Sequence, residues 1–170
     1  PYLYTMIKEA VKNKVSLKDI DWDFNDSNKS LSIHSVHPYP AKFIPEIPRT
    51  LIENIDIPEG SAILDPFCGS GVTLLEAQLA GYETYGVDLN PIACLISKLK
   101  TNNNLPFDLK KQTLDLLNRS KKCLNPKIPE IPNLDHWFKK DIQIALASLI
   151  QQINKVKDEK LKEIFQITVS

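Results

Sequence analysis

The sequence lacks several features that would assign it to a specialised class of protein. It has no run of 18 apolar residues and no signal-peptide pattern, so nothing in it predicts a membrane span or secretion. Its 21 basic and 21 acidic residues cancel, so the net charge argues neither for nor against a nucleic-acid partner. Its three cysteines are an odd number without metal-like spacing, which indicates reduced thiols, no metal site and a cytoplasmic protein.

The most informative stretch of the sequence predicts a strand, a tight glycine turn and a helix. Residues 62–64 are apolar, and Pro66 ends the strand because proline has no N–H for a sheet ladder. Gly69 and Gly71 allow the backbone to turn sharply and a ligand to approach closely. Residues 72–80 are mostly apolar and contain no breaker, as in a helix packed on a sheet, and the N–H groups at its start would favour a negatively charged ligand.

A second strand is predicted at residues 82–87, and Asp88 follows it directly. This acidic residue lies about twenty positions after the glycine turn, the spacing at which dinucleotide-type sites place a carboxylate that accepts the ribose hydroxyls. Asn90 and Pro91 then begin a helix, because Asn is a favoured N-cap and Pro suits the first helical position. The pattern therefore predicts a βαβ-like unit that presents a glycine loop and a ribose-binding carboxylate at one sheet edge.

Three kinds of ligand use such a unit. A nucleoside triphosphate site needs a lysine after the glycines, and residues 71–73 contain none. A nicotinamide or flavin site needs a third glycine, where this chain has Leu74. The third option is S-adenosylmethionine, which has a ribose and an adenine but no phosphate.

Three motifs in a fixed order resemble the amino-group DNA methyltransferases. Residues 65–73 (DPFCGSGVT) are similar to the cofactor-binding motif of this family, D-P-F-x-G-S-G-T-T, with Val72 in place of the first Thr. Residues 86–91 (GVDLNP) are similar to the second motif of the family. Residues 37–43 (HPYPAKF) are similar to an element that precedes the glycine motif in some of these enzymes and closes over the methionine end of the cofactor. Together the motifs are a specific signal, whereas the glycine turn alone would be weak.

The resemblance implies S-adenosylmethionine as the cofactor and a set of residues that bind it. Asp88 would bind the ribose, Leu89 would lie under the adenine, and Lys42 would meet the methionine carboxylate or an Asp of the site. Phe67 would fill the core below the loop, lie against the cofactor, or do both, and Cys68 is interpreted as a small loop residue rather than a nucleophile. The predicted cofactor-binding residues are Pro40, Ala41, Lys42, Phe43, Asp65, Pro66, Phe67, Cys68, Gly69, Gly71, Thr73, Asp88, Leu89 and Asn90.

The resemblance also implies a class I methyltransferase-like, Rossmann-like three-layer α/β fold, incomplete here and with an extra helical C-terminal segment. We expect an N-terminal arm at residues 1–30, a cofactor-binding core at 31–104, and a mainly helical insertion or truncated continuation at 105–170. Trp137 and Phe138 are expected to anchor the packing of this last part. Further helices are predicted at residues 2–15, 47–55, 109–124, 141–155 and 159–169.

The sequence assigns no catalytic residue. The family holds the target amino group with a short loop, Asp/Asn/Ser-Pro-Pro-aromatic, and this chain contains no such run. The chain is therefore expected to be the cofactor-binding part of an enzyme that methylates adenine N6 or cytosine N4 in DNA, with DNA contacted through parts outside it. A restriction-system partner or a second half of the enzyme would complete it. The alternatives are an RNA guanine amino-methyltransferase and a non-catalytic cofactor-binding subunit of a split methyltransferase.

Overall fold

The computed structural model describes residues 14–25, 34, 37–40, 44–102 and 108–170. The chain divides into two compact units, Pro1–Asn102 and Asn103–Ser170. Within the described part, no helix is both long enough and apolar enough to cross a membrane. The helix predicted at residues 2–15 lies almost wholly outside the described residues.

Helices and strands alternate along the first unit. Helix α1 begins after Pro45 and tolerates Pro48 because the N–H groups of a first helical turn have no partner within the helix. The predicted strand–helix–strand–helix order is confirmed, with element ends that differ by one to three residues. The elements are α1 (Glu46–Asn54), β1 (Ala62–Asp65), α2 (Val72–Leu79), β2 (Glu83–Gly86) and α3 (Pro91–Thr101).

Strands β1 and β2 pair in parallel and form a two-stranded sheet among the described residues, with Asp65 opposite Gly86. The ladder continues beyond the strands, because the Val87 N–H donates to the Asp65 carbonyl at 3.0 Å and the Cys68 N–H donates to the Val87 carbonyl at 3.0 Å. Parallel strands connected through a helix are the defining feature of the α/β class, so the coarse fold prediction is confirmed.

One side of the sheet packs against α2. Leu74 is 5% exposed, and a Cβ built on Gly86 would lie only 2.4 Å from Leu74 Cδ1, so the helix approaches β2 at a position that only glycine can occupy. Leu64 and Tyr85 are opposite each other in the register and are 63% and 54% exposed. The paired strands therefore carry an exposed apolar surface.

The second unit consists of helices in its described residues. The helix predicted at residues 159–169 is confirmed, two other predicted helices end two or three residues early, and one short helix was not predicted. Leu116, Ile153, Leu161 and Phe165 form its buried apolar cluster. The helices are α4 (Leu109–Lys121), α5 (Leu134–Trp137), α6 (Lys140–Ile153) and α7 (Glu159–Val169).

Two expectations for the second unit are wrong. Trp137 does not anchor the packing, since it is 72% exposed and its ring contacts the neighbouring His136 edge-on at 5.1 Å. Phe138 is 43% exposed. The buried residue at this turn is Gln143, whose amide donates to an Asp135 carboxylate oxygen at 2.6 Å and to the Phe138 carbonyl at 2.8 Å. Hydrogen bonds rather than aromatic burial therefore hold the connection between α5 and α6.

Candidate functional site

The loop between β1 and α2 is a tight turn closed by its own backbone. The Phe67 N–H donates to an Asp65 carboxylate oxygen at 3.1 Å, and the Gly71 N–H donates to the Cys68 carbonyl at 2.8 Å. Gly69 and Gly71 have φ angles of +48° and +74°, in the left-handed region that glycine adopts without steric cost. The predicted glycine turn is confirmed.

Helix α3 packs directly on this turn through Ser97. A Cβ built on Gly71 would lie 2.7 Å from Ser97 Oγ and 2.9 Å from Ser97 Cα, so Gly71 is required for helix packing as well as for the turn. The Ser97 hydroxyl donates to the Gly69 carbonyl at 2.9 Å and lies 3.7 Å from the Cys68 sulfur. The sequence analysis missed Ser97. The signal available for it was a small polar residue between Ile96 and Leu99 on an otherwise apolar helix face.

Asp88 lies at the end of β2, as predicted, and contacts the glycine turn. One carboxylate oxygen accepts a hydrogen bond from the Gly69 N–H at 2.9 Å, and the other accepts one from the Asn90 N–H at 2.8 Å. A carboxylate has about four acceptor positions, so two remain for other donors. Asn90 acts as the helix cap of α3, since its side chain accepts from the Ile92 N–H at 3.0 Å.

Two apolar residues close to the turn or to Asp88 in the sequence have exposed side chains. Phe67 and Leu89 are 87% and 100% exposed, so the expectation that Phe67 fills the core below the loop is wrong. The neighbouring Cys68 is buried instead. Burial raises the pKa of the Cys68 thiol, which keeps it protonated at neutral pH, as expected for a residue that is not a nucleophile.

The motif at residues 37–43, called the proline-rich element below, contacts the turn through Tyr39. The position that a Cβ on Gly69 would occupy lies 3.5 Å from Tyr39 Cε1, so the ring lies against the turn. Tyr39 was not among the predicted cofactor residues, although it stands inside the motif. Pro40 is exposed. The remaining predicted residues of this element, Ala41, Lys42 and Phe43, lie outside the described residues.

Glu76 is a buried carboxylate on α2, one turn after the glycines. Arg49 donates to it from Nε at 2.8 Å and from Nη2 at 3.1 Å, and His34 Nε2 donates at 2.8 Å. Burial raises the pKa of the Glu76 carboxyl, but the hydrogen bonds from His34 and Arg49 outweigh it, so that the pKa lies below its ordinary value. Glu76 therefore has two partners from other parts of the first unit, His34 and Arg49.

The other residues of the turn differ in exposure. Pro66 is exposed, and Thr73 is partly buried in the first turn of α2. Ser70 is 2% exposed, and its hydroxyl has no hydrogen-bond partner among the described residues. A buried hydroxyl without a partner is costly, so Ser70 is a polar group that the described residues leave unsatisfied. The part of the chain that the structure describes contains no cluster of three side chains able to hold a metal ion.

The sequence is similar to those of known proteins. A family model described as DNA methylase, of the N6/N4 methyltransferase type, matches residues 3–99. The Type II methyltransferase M.MvaI of Kocuria varians is 31% identical over 159 residues, which are 86% of this chain and 34% of that protein. The Type II methyltransferase M.MjaII of Methanocaldococcus jannaschii is 35% identical over 107 residues, 60% of this chain and 20% of that protein.

A shorter similarity extends to RNA enzymes. A tRNA (guanine(10)-N2)-dimethyltransferase of Methanothermobacter thermautotrophicus is 38% identical over 52 residues, 31% of this chain and 16% of that protein. No solved structure matches the chain significantly. The chain thus spans about a third or less of the length of each of these relatives. The family match covers more than half of the chain and includes the glycine turn, Asp88 and both strands, so the chain belongs to the DNA methylase family of amino-methyltransferases.

Proposed function

We propose that this chain binds S-adenosylmethionine at the glycine turn, and that the protein to which it belongs methylates adenine N6 or cytosine N4 in DNA. The observation that supports this best is the contact between Asp88 and the glycine turn. The carboxylate at the end of β2 lies 2.9 Å from the Gly69 nitrogen and retains acceptor positions for two ribose hydroxyls. A P-loop nucleotide site would need a lysine after the glycines, and residues 71–73 contain none.

The residues around the turn fit this cofactor. Asp88 would hold the ribose, and the exposed side chains of Leu89 and Phe67 would cover the adenine and the sulfonium region. Ser70 would supply a hydroxyl that has no partner among the described residues. Tyr39, with the residues that follow it, would close over the methionine end. We propose cofactor binding for the remaining predicted residues of the turn and of the motif at residues 37–43 as well.

The bound cofactor would supply the methyl group, and the protein would position an exocyclic nitrogen to receive it. An amino group inside a duplex cannot be reached, so the target base must leave the stack. The 170 residues contain no Pro-Pro-aromatic loop to hold that base, and we therefore propose that catalytic and DNA-contacting residues lie elsewhere in the protein. This chain alone should bind the cofactor without methylating DNA.

We also propose that the complete fold is the Rossmann-like, three-layer arrangement of class I methyltransferases. The exposed face that carries Leu64 and Tyr85 supports this, because parallel sheets are normally covered on both faces. Residues 105–170 would be a mainly helical insertion or a truncated continuation. A cytoplasmic location and a restriction-modification role are consistent with a DNA-modifying enzyme and are proposed with it.

An RNA guanine amino-methyltransferase is the second candidate, because a relative named as a tRNA dimethyltransferase matches 52 residues. Residues 37–43 resemble an element of some DNA amino-methyltransferases, which favours the DNA enzyme over this second candidate. A cofactor-binding subunit without its own activity is the third. Methylation assays of the full-length protein on DNA and on tRNA separate these candidates. A DNA methyltransferase should methylate DNA alone, and an RNA methyltransferase should methylate tRNA alone. A cofactor-binding subunit without its own activity should methylate neither.

Calorimetric titration with S-adenosylmethionine tests the cofactor site. Asp88→Ala should weaken binding by roughly 1–3 kcal/mol, because two hydrogen bonds to a charged acceptor are lost. Asp56→Asn is the matched control, since it removes an exposed carboxylate that pairs with Lys14 on the same unit. Equal affinities of the wild type and a folded Asp88→Ala variant would show that Asp88 does not bind the ribose.

A further inference from the structure

Glu76 joins three separate parts of the first unit. Its carboxylate belongs to α2, its partner Arg49 belongs to α1, and its partner His34 precedes the proline-rich element. The Glu76 side chain is 3% exposed and that of His34 is 10% exposed, whereas that of Arg49 is 47% exposed. The contact with His34 is therefore the most deeply buried charged hydrogen bond of this group.

A buried carboxylate is a poor way to gain stability. In buried ion pairs in general, the cost of desolvation can cancel much of the attraction, and apolar residues of the same volume often stabilise a core at least as well. The best-attested benefit of a buried ionic group is that it selects one arrangement over others. The contacts of Glu76 connect parts of the chain that lie beside the glycine turn.

That arrangement places the proline-rich element on the glycine turn. His34 lies five residues before Tyr39, and Pro38 and Pro40 restrict the backbone on both sides of Tyr39. The Tyr39 ring lies against Gly69, 3.5 Å from the position of its missing Cβ. The glycine turn leads directly into α2, and Glu76 lies on α2. Its hydrogen bond with His34 therefore connects a residue shortly before Tyr39 to the helix that follows the turn.

We propose that Glu76 is a positioning residue for the cofactor site, which keeps Tyr39 seated on the glycine turn by holding His34. The inference rests on the proposed function, in which this turn and this element bind S-adenosylmethionine. Glu76 itself needs no contact with the cofactor. Arg49 completes the arrangement, because it supplies the two further hydrogen bonds that a buried carboxylate requires.

The seating of Tyr39 can be measured without any cofactor. In full-length protein labelled with 3-fluorotyrosine, the fluorine resonance of Tyr39 is identified by its loss in Tyr39→Phe. Glu76→Gln and His34→Gln should both move this resonance towards the position of a solvated tyrosine, and Asp56→Asn should not. His34→Gln leaves the pair of Glu76 with Arg49 in place, so it remains informative if Glu76→Gln does not fold. An unmoved Tyr39 resonance in either folded variant overturns the proposal.

The consequence for binding is measured by calorimetry with S-adenosylmethionine. If Tyr39 is seated only about a tenth of the time in Glu76→Gln, the apparent Kd rises about tenfold. In a Tyr39→Ala background, the same Glu76→Gln change should have no further effect, because the group through which it acts has gone.

Two results separate this inference from the proposed function. A tenfold loss that persists in the Tyr39→Ala background would show that Glu76 affects the site by another route, and it overturns the positioning role. Failure of the wild-type protein to bind S-adenosylmethionine would refute the proposed function, while the fluorine measurement would still decide whether Glu76 seats Tyr39.

Discussion

The two units of the chain differ in how they use buried polar side chains. In the first unit, Ser97 and Glu76 form hydrogen bonds that connect different elements, from α3 to the glycine turn and from α2 to α1. In the second unit, the buried hydroxyls of Ser120 and Ser148 donate to the carbonyls four residues earlier in their own helices. The buried amide of Gln143 does connect two elements there, but these are α5 and α6, which follow each other directly in the chain. Bonds between elements fix where elements lie, whereas bonds within a helix only satisfy the donor.

This difference agrees with the distribution of motifs. The family match ends at residue 99, near the end of the first unit, and the glycine turn, Asp88 and the proline-rich element all lie before it. The second unit has amphipathic helices around a small apolar cluster, and we assign no site to it. The comparison therefore predicts that small substitutions are costly in the first unit where elements meet, and that even large exposed side chains are dispensable in the second.

The largest expected effect is that of Gly71→Val. A left-handed φ and a clash with both the side chain and backbone of Ser97 should together lower the free energy of unfolding by about 2–5 kcal/mol. Gly60→Val is the matched control, because Gly60 has φ +78° and no atom within 4 Å of its would-be Cβ. That control should lose only about 1–2 kcal/mol. Urea unfolding of both variants measures the difference, and similar losses would show that α3 does not pack on the turn.

Glu76→Gln should alter the pH dependence of stability. The folded-state pKa of Glu76 is lowered from the ordinary value of 4.5, so its stabilising contribution is present above pH 4.5 and is lost as the pH falls through the folded-state pKa. The difference in unfolding free energy between wild type and Glu76→Gln should therefore shrink below pH 4.5. Asp56 and Asp135 also have lowered pKa values, but both remain in the variant and cancel in the difference.

Urea titrations at pH 7 and at steps below pH 4.5 provide this measurement. A difference that stays constant over the whole range would mean that the Glu76 carboxylate is not held by charged partners. The second unit supplies the contrast, since its corresponding acid, Asp135, is exposed. Below pH 4.5, the pH dependence of the unfolding free energy should change less in Asp135→Asn than in Glu76→Gln.

Local features of the first unit were predictable from the sequence, and long-range contacts were not. The glycine turn, the cap at Asn90 and the place of Asp88 depend on residues close together in the chain, and each was predicted. The bonds of Glu76 to Arg49 and His34 span 27 and 42 residues. No spacing rule reaches that far, so the sequence alone could not identify these partners of Glu76.

The errors have a common physical cause. Phe67 and Trp137 were expected to pack because aromatic side chains gain most from burial. Whether they are buried depends on which surface lies next to them in space, and neither meets a core here. In the first unit the exposed ring of Phe67 is part of the proposed site, whereas the exposed ring of Trp137 has no function that the structure indicates.

The smallest expected effect is therefore that of Trp137→Ala. A ring that is 72% exposed and contacts chiefly its neighbour His136 should contribute less than about 0.5 kcal/mol to the unfolding free energy. Phe165→Ala in the buried cluster of the same unit is the control, with an expected loss of about 3–5 kcal/mol. Circular dichroism during urea unfolding compares the two without relying on tryptophan fluorescence. A loss of several kcal/mol in Trp137→Ala would mean that the ring is covered in the intact protein, and the second unit would then have an interface where this comparison predicts a solvated surface.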